Sequence, residues 1–207
     1  PAPPRATLAR TASRPISQIT APVRATMQKQ TGIAAGGFFS CGVSAMGEGY
    51  CWGANDNGQI TMPSGHTWAM LSASKDYHSC GVTVAGEGYC WGNGGNSRTS
   101  VPSGTWASIS AGDRHTCGVL SSGDAACWGL NDDGQSTVPS GGSGPTAWAI
   151  VSAGGYHSCG VKTSNEALCW GANDHGQTAV PTGMAWSYIS AGERFTCGAR
   201  AHTVPTA

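Results

Sequence analysis

The chain repeats itself after its first 32 residues. A Cys-Gly dipeptide recurs at intervals of 39, 37, 42 and 38 residues, and the first four copies are each followed ten positions later by Cys-Trp-Gly. The five Cys-Gly cysteines are Cys41, Cys80, Cys117, Cys159 and Cys197. A period of this length is typical of a solenoid, a propeller or an array, in which each unit buries its apolar face against its neighbours. The chain therefore contains four full units and the start of a fifth.

The pattern within one unit predicts four short β-strands. In the third unit the candidate strands are "WASIS", "HTCGVL", "AACWG" and "STVP", and the turn formers "NDDGQ" stand before the last of them. The proline suits the end of a strand. Four strands in about 39 residues leave no room for a helix and match one propeller blade, whereas a β-solenoid normally uses shorter coils. We therefore predict an all-β fold, a β-propeller built from four-stranded blades.

Composition divides the chain into two regions. Residues 1–31 contain five basic residues and no acidic residue, whereas residues 32–207 contain six Lys or Arg and eleven Asp or Glu. We predict that 1–31 is a solvated linker or leader. The alternatives are that it binds an acidic partner, docks on its own domain or is a transit peptide. Residues 32–207 are predicted to form the propeller. No apolar run approaches the 18 residues of a membrane span, so we expect none in this chain.

The cysteine spacing predicts disulfides within each unit. Nine residues separate the two cysteines of each complete unit, so a hairpin about the midpoint places them directly opposite each other, within reach of a disulfide. The predicted bridges are Cys41–Cys51, Cys80–Cys90, Cys117–Cys127 and Cys159–Cys169. Zinc sites typically space cysteines two to four residues apart, which disfavours a metal. Repeated disulfides predict a secreted or extracellular protein.

Cys197 has no partner at the expected spacing. An odd cysteine in a secreted protein suggests intermolecular pairing or a truncated chain, and an incomplete set of units leaves strand edges open. We therefore expect assembly into a larger propeller with further repeats or another chain. The alternative is that tail residues such as Ile16–Val23 add strands and close a five-bladed ring.

Recurring polar residues have architectural explanations. His78, His115 and His157 each stand two positions before a cysteine, but Phe39 and Phe195 hold that position in the other units. A phenyl ring cannot bind a metal, so the position is predicted to pack a flat side chain. We expect neither a metal nor a cofactor.

The loops after Cys-Trp-Gly resemble the opening of a calcium loop. In the first unit Asn55–Gln59 is rich in oxygen ligands, but Ser64 stands where an EF-hand needs a glutamate, so turn chemistry is the better explanation. The tryptophans of Cys-Trp-Gly are predicted to lie in the core between blades, with sugar stacking as the alternative. They are Trp52, Trp91, Trp128 and Trp170.

The stretch "SAGDRHTCGVLSSGDAACWGLNDDGQSTVP" resembles the repeat of the regulator-of-chromosome-condensation family. That pattern runs Ala-Gly-x-x-His-(Ser/Thr), then Trp-Gly-x-Asn-x-x-Gly-Gln, then a proline. The paired cysteines are similar to those of the extracellular subgroup, which includes crinkly-type receptor ectodomains and secreted microbial proteins. The resemblance covers about Ile33 to Gly198 and implies a propeller, commonly of seven blades, that binds proteins through its faces. The second unit departs at Asn93–Thr99, where Gly-Gln is missing.

No catalytic pattern is present, since neither a Gly-x-Ser-x-Gly motif nor a phosphate loop opening a helix occurs. We predict a non-enzymatic extracellular module that binds a protein, with a multivalent lectin or a structural subunit as alternatives. No nucleic-acid partner is expected. The candidate binding residues lie where the loops after Ala-Gly, or after Ala-Ser in the second unit, differ between units. They are Lys75, Asp76, Tyr77, Asp113, Arg114, Tyr156, Glu193 and Arg194.

Overall fold

The structure is a computed structural model, and it describes residues 32–75, 77–140 and 147–201. Within these ranges the chain forms fourteen strands and one 3₁₀ turn at Gly95–Ser97. In chain order the strands are β1 (Ile33–Ala35), β2 (Phe39–Val43), β3 (Gly49–Gly53), β4 (Trp68–Ala73), β5 (His78–Thr83), β6 (Gly88–Gly92), β7 (Trp106–Ala111), β8 (His115–Leu120), β9 (Ala125–Gly129), β10 (Trp148–Ala153), β11 (His157–Lys162), β12 (Ala167–Gly171), β13 (Trp186–Ala191) and β14 (Thr196–Arg200). The predicted tail, 1–31, lies outside the described residues, and so does its candidate strand segment 16–23.

The strands form five antiparallel sheets in chain order, which we call units 1 to 5. Units 1 to 4 comprise β1–β3, β4–β6, β7–β9 and β10–β12, and unit 5 comprises β13 and β14. Each buried apolar cluster in the described residues joins two consecutive units. We call each contact between consecutive units a seam. Sheets stacked face to face in chain order are the blades of a propeller, so the predicted fold class is confirmed.

The predicted fourth strand does not form in the described residues. In unit 3 the segment "STVP" is turn and irregular chain. The Ser136 N–H donates to Asn131 Oδ1 at 2.8 Å, and the Thr137 N–H donates to the Gly134 carbonyl at 3.0 Å. Pro139 has no N–H at all. Local partners therefore take the donors that a fourth strand would need, and the complete blades have three strands.

Each central strand presents alternate residues to its two neighbours, because side chains alternate across a sheet. In β8, His115 faces unit 4, where its Nε2 lies 2.8 Å from Ser158 Oγ. The next residue, Thr116, faces unit 2 and donates to the Arg98 carbonyl at 2.8 Å. We call the first side the forward face and the second the backward face. Period-two alternation thus gives every unit two different packing faces.

Pairs of tryptophans fill the seams on the backward faces. At the seam between units 2 and 3, Trp106 and Trp128 are 1% and 9% exposed, and their ring centroids lie 5.3 Å apart. They pack against Cys80 and Val82 of unit 2. Trp91 and Trp170 occupy the position of Trp128 and are 8% exposed. For these three units the predicted core position of the Cys-Trp-Gly tryptophan is confirmed.

All four predicted disulfides are present within their own units. The bonded pairs lie directly opposite each other on neighbouring strands, with Cα–Cα distances of 4.0 to 4.1 Å. They are Cys41–Cys51, Cys80–Cys90, Cys117–Cys127 and Cys159–Cys169. Cys197 is free and exposed.

Candidate binding surface on the loop face

Two sets of loops emerge at the same end of every complete unit. In unit 3 the loop between β7 and β8 and the loop after β9 are neighbours, since the Leu130 N–H donates to the Arg114 carbonyl at 2.9 Å. The same bond joins Asn93 to Tyr77 in unit 2. We call this end the loop face; it is formed by the loops at 36–38, 74–75 with 77, 112–114, 154–156 and 192–195 and by the Gly-Gln loops.

The Gly-Gln loops anchor the loop face to the seams. The Gln59 backbone carbonyl accepts two hydrogen bonds from unit 2, one from Ser79 Oγ at 2.6 Å and one from Trp91 Nε1 at 2.9 Å. The Gln59 side chain is buried and accepts the Asn57 N–H at 2.8 Å. One glutamine therefore shapes its own loop and binds the next blade. Gln135 repeats the arrangement with unit 4.

Unit 2 keeps the turn although the Gly-Gln residues are replaced. Ser97 stands where the other complete units have glycine, and its φ of 59° is in the left-handed region. Arg98 replaces the glutamine, and its carbonyl still accepts from Thr116 and Trp128. The Arg98 guanidinium donates to the Asp113 carbonyl at 2.8 Å. The departure at 93–99 therefore gives a loop with a new contact to unit 3.

The recurring histidines are buried hydrogen-bonding residues of the seams. Their Nε2 atoms lie 2.8 to 3.0 Å from hydroxyl oxygens of the next unit, and all three side chains are fully buried. The pairs are His78 with Thr116, His115 with Ser158, and His157 with Thr196. Burial lowers the pKa of His78 to about 3 and that of His115 to about 4, and it lowers the pKa of His157 as well.

Two of the predicted binding residues form an ion pair across the units. Lys75 Nζ of unit 2 lies 2.9 Å from Glu193 Oε2 of unit 5, and both side chains are about half exposed. The lysine holds the pKa of Glu193 below its usual range. The pair lies at a cavity of about 370 Å³ that is otherwise lined mainly by Ala and Gly at the ends of the first strands. Residues far apart in sequence therefore meet at one site on the loop face.

Asp113 is placed differently from the other predicted residues. It lines the same cavity, but it is only 5% exposed. Its N–H donates to the Gly154 carbonyl, and its own carbonyl accepts from Arg98. Asp113 therefore belongs to the wall of the cavity rather than to its outer surface. Asp76 lies outside the described residues.

Tyr156 and Arg194 contribute to a second cavity, which residues of units 3, 4 and 5 line. Its volume is about 290 Å³, and Tyr156 is half-buried there while Arg194 is exposed. Arg194 Nη1 lies 3.4 Å from His175 Nε2. The other charged lining residues are Asp133 and Asp174. Sequence reasoning missed the contributions of the Gly-Gln loops because it treated them only as turns, although their middle residues differ between units.

Neither a metal cluster nor a membrane-spanning helix was found in the described ranges. No three His, Cys, Asp or Glu side chains in 32–75, 77–140 and 147–201 are grouped as metal ligands. In the same ranges no helix has the length and apolar character needed to cross a membrane. In the turn predicted to be structural, Asn55 Oδ1 accepts the Ile60 N–H at 3.1 Å.

Known proteins resemble this chain in repeat and in fold. The model of the regulator of chromosome condensation (RCC1) repeat matches residues 31–59, 106–135 and 148–177. The ectodomain of the receptor kinase CR4 from Physcomitrella patens is 30% identical, with a TM-score of 0.66 over 81% of this chain and 48% of that chain. The CRINKLY WD40 ectodomain of the receptor kinase ACR4 from Arabidopsis thaliana is 27% identical, with a TM-score of 0.51 over 82% of this chain and 74% of that chain.

Prp20p from Saccharomyces cerevisiae shares the fold at 17% identity, with a TM-score of 0.66 over 81% of this chain and 54% of that chain. The chain thus spans about half the length of the CR4 ectodomain and of Prp20p. No curated protein matches the sequence.

The stacked blades, the internal disulfides and the Gly-Gln anchors define a disulfide-linked repeat propeller. Three of its units match the repeat model directly, and the solved structures similar to it include two receptor-kinase ectodomains. The chain thus contains segments that match the RCC1 repeat, and it is similar to the CRINKLY-type receptor ectodomains of CR4 and ACR4.

Proposed function

We propose that this chain is a non-enzymatic extracellular module that recognises a protein partner through the loop face. The observation that carries the proposal is a series of large flat side chains, one from each unit, directly before the recurring histidine or phenylalanine. We call these five residues the rim: Phe38, Tyr77, Arg114, Tyr156 and Arg194. Four of them are exposed and Tyr156 is half-buried. Tyrosine and arginine are enriched among the residues that dominate binding energy at protein interfaces.

Charged groups surround the rim and favour specific recognition. The Lys75–Glu193 pair lies toward the centre of the loop face, and Asp133 and Asp174 lie beside Tyr156 and Arg194. Charged groups of both signs can fix the register of a partner and reject wrong ones. Phe38 is 69% exposed and is the aromatic rim residue that the sequence reasoning overlooked.

The relatives support a binding role without identifying the partner. The CR4 and ACR4 structures are ectodomains of receptor kinases, and the Prp20p structure is described together with its binding to Gsp1p and histones. A shared propeller fold does not transfer a ligand. The four disulfides favour an oxidising, extracellular setting over the nucleus.

The test is capture from the extracellular fluid in which the protein occurs, followed by mass spectrometry. A loop-face variant, Tyr77→Ala with Arg194→Ala, is compared with a matched variant at the opposite end, Met46→Ala with Val84→Ala. Met46 and Val84 are 78% and 60% exposed, so both variants change exposed side chains. The proposal expects a protein that the native chain and the opposite-end variant retain and the loop-face variant loses. Equal capture by both variants would contradict it.

A lectin is the alternative, and the same preparation tests it. Trp91, Trp128 and Trp170 are buried and donate their indole N–H to backbone carbonyls, so they offer no stacking surface to a sugar. Trp52, by contrast, is 49% exposed. Reproducible binding on a glycan array that Trp52→Ala or Tyr77→Ala abolishes would replace the protein-binding proposal.

The backward face of unit 1 supports assembly with a further repeat. In units 2 to 4 a Ser or Thr hydroxyl and the indole N–H of Cys-Trp-Gly share one carbonyl of the preceding loop. Ser40 and Trp52 hold these positions in unit 1, and no side-chain hydrogen bond joins either of them to another described residue. We propose that a Gly-Gln loop and a disulfide hairpin of a further repeat cover this face.

Solution mass and tryptophan fluorescence of the native protein test the assembly. If the face is covered, Trp52 emission should be blue-shifted; the Trp52 contribution is the difference between the spectra of the native chain and of the Trp52→Phe variant. The Trp52→Arg variant should lose the assembly. A native protein of monomer mass with solvent-exposed Trp52 emission would contradict assembly, whether or not a partner binds the loop face.

A further inference from the structure

We propose that the three seams containing histidine are acid-sensitive joints, which loosen when their rings are protonated and so disturb the loop face. The effect on the seams concerns the chain alone, whereas the effect on binding rests on the proposed function. The acid-sensitive seams lie between units 2 and 3, 3 and 4, and 4 and 5, and they contain His78, His115 and His157.

The hydrogen bonds fix which ring nitrogen carries the proton. Thr116 has a single hydroxyl proton, and it donates that proton to the Arg98 carbonyl at 2.8 Å. The same oxygen lies 3.0 Å from His78 Nε2, so it accepts and the imidazole donates. Ser158 and Thr196 donate in the same way to the carbonyls of Gln135 and Gln177. Each Nε2 therefore carries a proton, and because burial lowers the pKa of all three rings they are neutral near pH 7.

The second nitrogen is the point at which acid acts. Nδ1 of each histidine is buried and has no hydrogen-bond partner. Protonation would place a donor and a positive charge there without an acceptor, which is costly in a buried site. A protonated Nδ1 would need an acceptor from water or from a displaced loop, and the seam must open to admit either.

The surrounding charges oppose protonation. After burial, the positive charge of Arg98 and that of a protonated His115 lower the pKa of His78 further. A protonated His157 lowers the pKa of His115 in the same way. Asp113 lies two residues before His115, yet no carboxylate bonds the rings, since each Nδ1 lacks a partner. Glu193, which packs against Gly155 two residues before His157, is paired with Lys75.

The chain contains its own control at the first seam. Phe39 of unit 1 occupies the histidine position and is 3% exposed. Ser79 still donates to the Gln59 carbonyl, and the second contact of its oxygen with unit 1 is Cys41 Sγ at 3.8 Å, where the other seams have a histidine nitrogen. Since neither group takes up a proton near neutral pH, this seam lacks the acid-sensitive element.

The joints are adjacent to the rim. Tyr77, Arg114 and Tyr156 directly precede the three seam histidines, so a displaced histidine moves a rim residue with it. The sign of the effect follows from linkage. An unfolded or opened histidine takes up a proton near pH 6.5, whereas the seam histidines do so only at lower pH. The stability that the neutral histidines give the seams is therefore fully present above about pH 6.5. It falls as the pH decreases toward the pKa values of the histidines in the folded chain.

The test uses the full chain without a partner. Hydrogen exchange, corrected for intrinsic rates, is followed at the four seams from about pH 7 to about pH 4, together with ¹⁵N signals of the histidine rings. The opening equilibrium of the histidine seams should rise by up to about tenfold per histidine per pH unit. The seam between units 1 and 2 should change least.

Two variants sharpen the outcome. Replacement of all three histidines by phenylalanine, as at Phe39, should flatten the acid response, and Phe39→His should extend it to the first seam. Equal acid responses in the native chain and the triple variant would overturn the proposal. If the triple variant does not fold, the ring signals of the native chain decide. Rings that stay neutral until the seams open support the proposal, and rings that titrate near pH 6.5 in intact seams overturn it.

Discussion

The seams and the loop face are built from neighbouring residues but follow opposite rules. At the seams the same contacts recur from unit to unit, so that a hydroxyl and an indole N–H share one loop carbonyl at three successive seams. One position before the recurring histidine or phenylalanine, the residue changes among Phe, Tyr and Arg. Recurrence therefore marks what holds the blades together, and variation on a recurring framework marks where a partner can be selected. The predictions below test this division.

The largest expected effect is the loss of a seam tryptophan. Trp128→Ala removes a 9% exposed ring and leaves a cavity, so we expect the free energy of unfolding to fall by about 3–5 kcal/mol. In the isolated chain, without the further repeat proposed above, Trp52→Ala at the same position of unit 1 should cost less than about 1 kcal/mol, because Trp52 is 49% exposed. Denaturant unfolding measures both. Similar losses would show that the backward face of unit 1 is covered in solution.

Removal of a disulfide should have the next largest effect. Cys117→Ser with Cys127→Ser opens the bridge of unit 3 and should lower the free energy of unfolding by about 2–3 kcal/mol through the loop it closes. Cys197→Ser is the control and should change little in the isolated chain, because Cys197 is free and exposed. Denaturant unfolding curves of the two variants measure both losses. A larger loss of unfolding free energy for Cys197→Ser than for the double variant would contradict the prediction.

A glycine at Ser97 should stabilise the chain. The equivalent Gly58, Gly134 and Gly176 have φ between 75° and 79°, and Ser97 has φ 59°. A side chain in this region costs about 1 kcal/mol, so Ser97→Gly should raise the free energy of unfolding by about that amount. A rise in the thermal midpoint is the readout. A fall would mean that the Ser97 side chain contributes a contact that outweighs the backbone strain.

The smallest effect on stability is expected at the loop face. The Lys75–Glu193 pair is about half exposed, and exposed pairs contribute little. Lys75→Met should leave the thermal midpoint unchanged within error while weakening capture of the partner. Because the lysine lowers the pKa of Glu193, any stability from the pair is present above the usual glutamate pKa and is lost as the pH falls through the folded value. A clear destabilisation would move Lys75 from the recognition residues to the architectural ones.

Sequence reasoning predicted the parts of the fold that depend on local periodicity. The hairpin register followed from the spacing of Cys117 and Cys127, and the blade order followed from the repeat itself. The prediction of a fourth strand was wrong because Asn131 Oδ1 accepts a backbone N–H that would otherwise donate to a neighbouring strand. Propensity does not register such competition between a side chain and a strand.

The candidate site was less predictable because its geometry depends on contacts between units. Asp113 varies between units and is charged, yet it is buried, since Arg98 of the preceding unit binds its carbonyl. Lys75 and Glu193 meet although 118 positions separate them. Variation alone therefore selected candidate loops but could not tell a wall residue from a surface residue.

Footprinting of the native complex with its captured partner tests the division between seams and loop face most directly. Hydroxyl-radical oxidation of the free and bound protein reports on exposed aromatic and methionine side chains in one experiment. The account predicts protection of Phe38, Tyr77 and Tyr156 on the loop face and unchanged oxidation of Met46 at the opposite end. Protection of Met46 with unchanged oxidation of Phe38 and Tyr77 would contradict it.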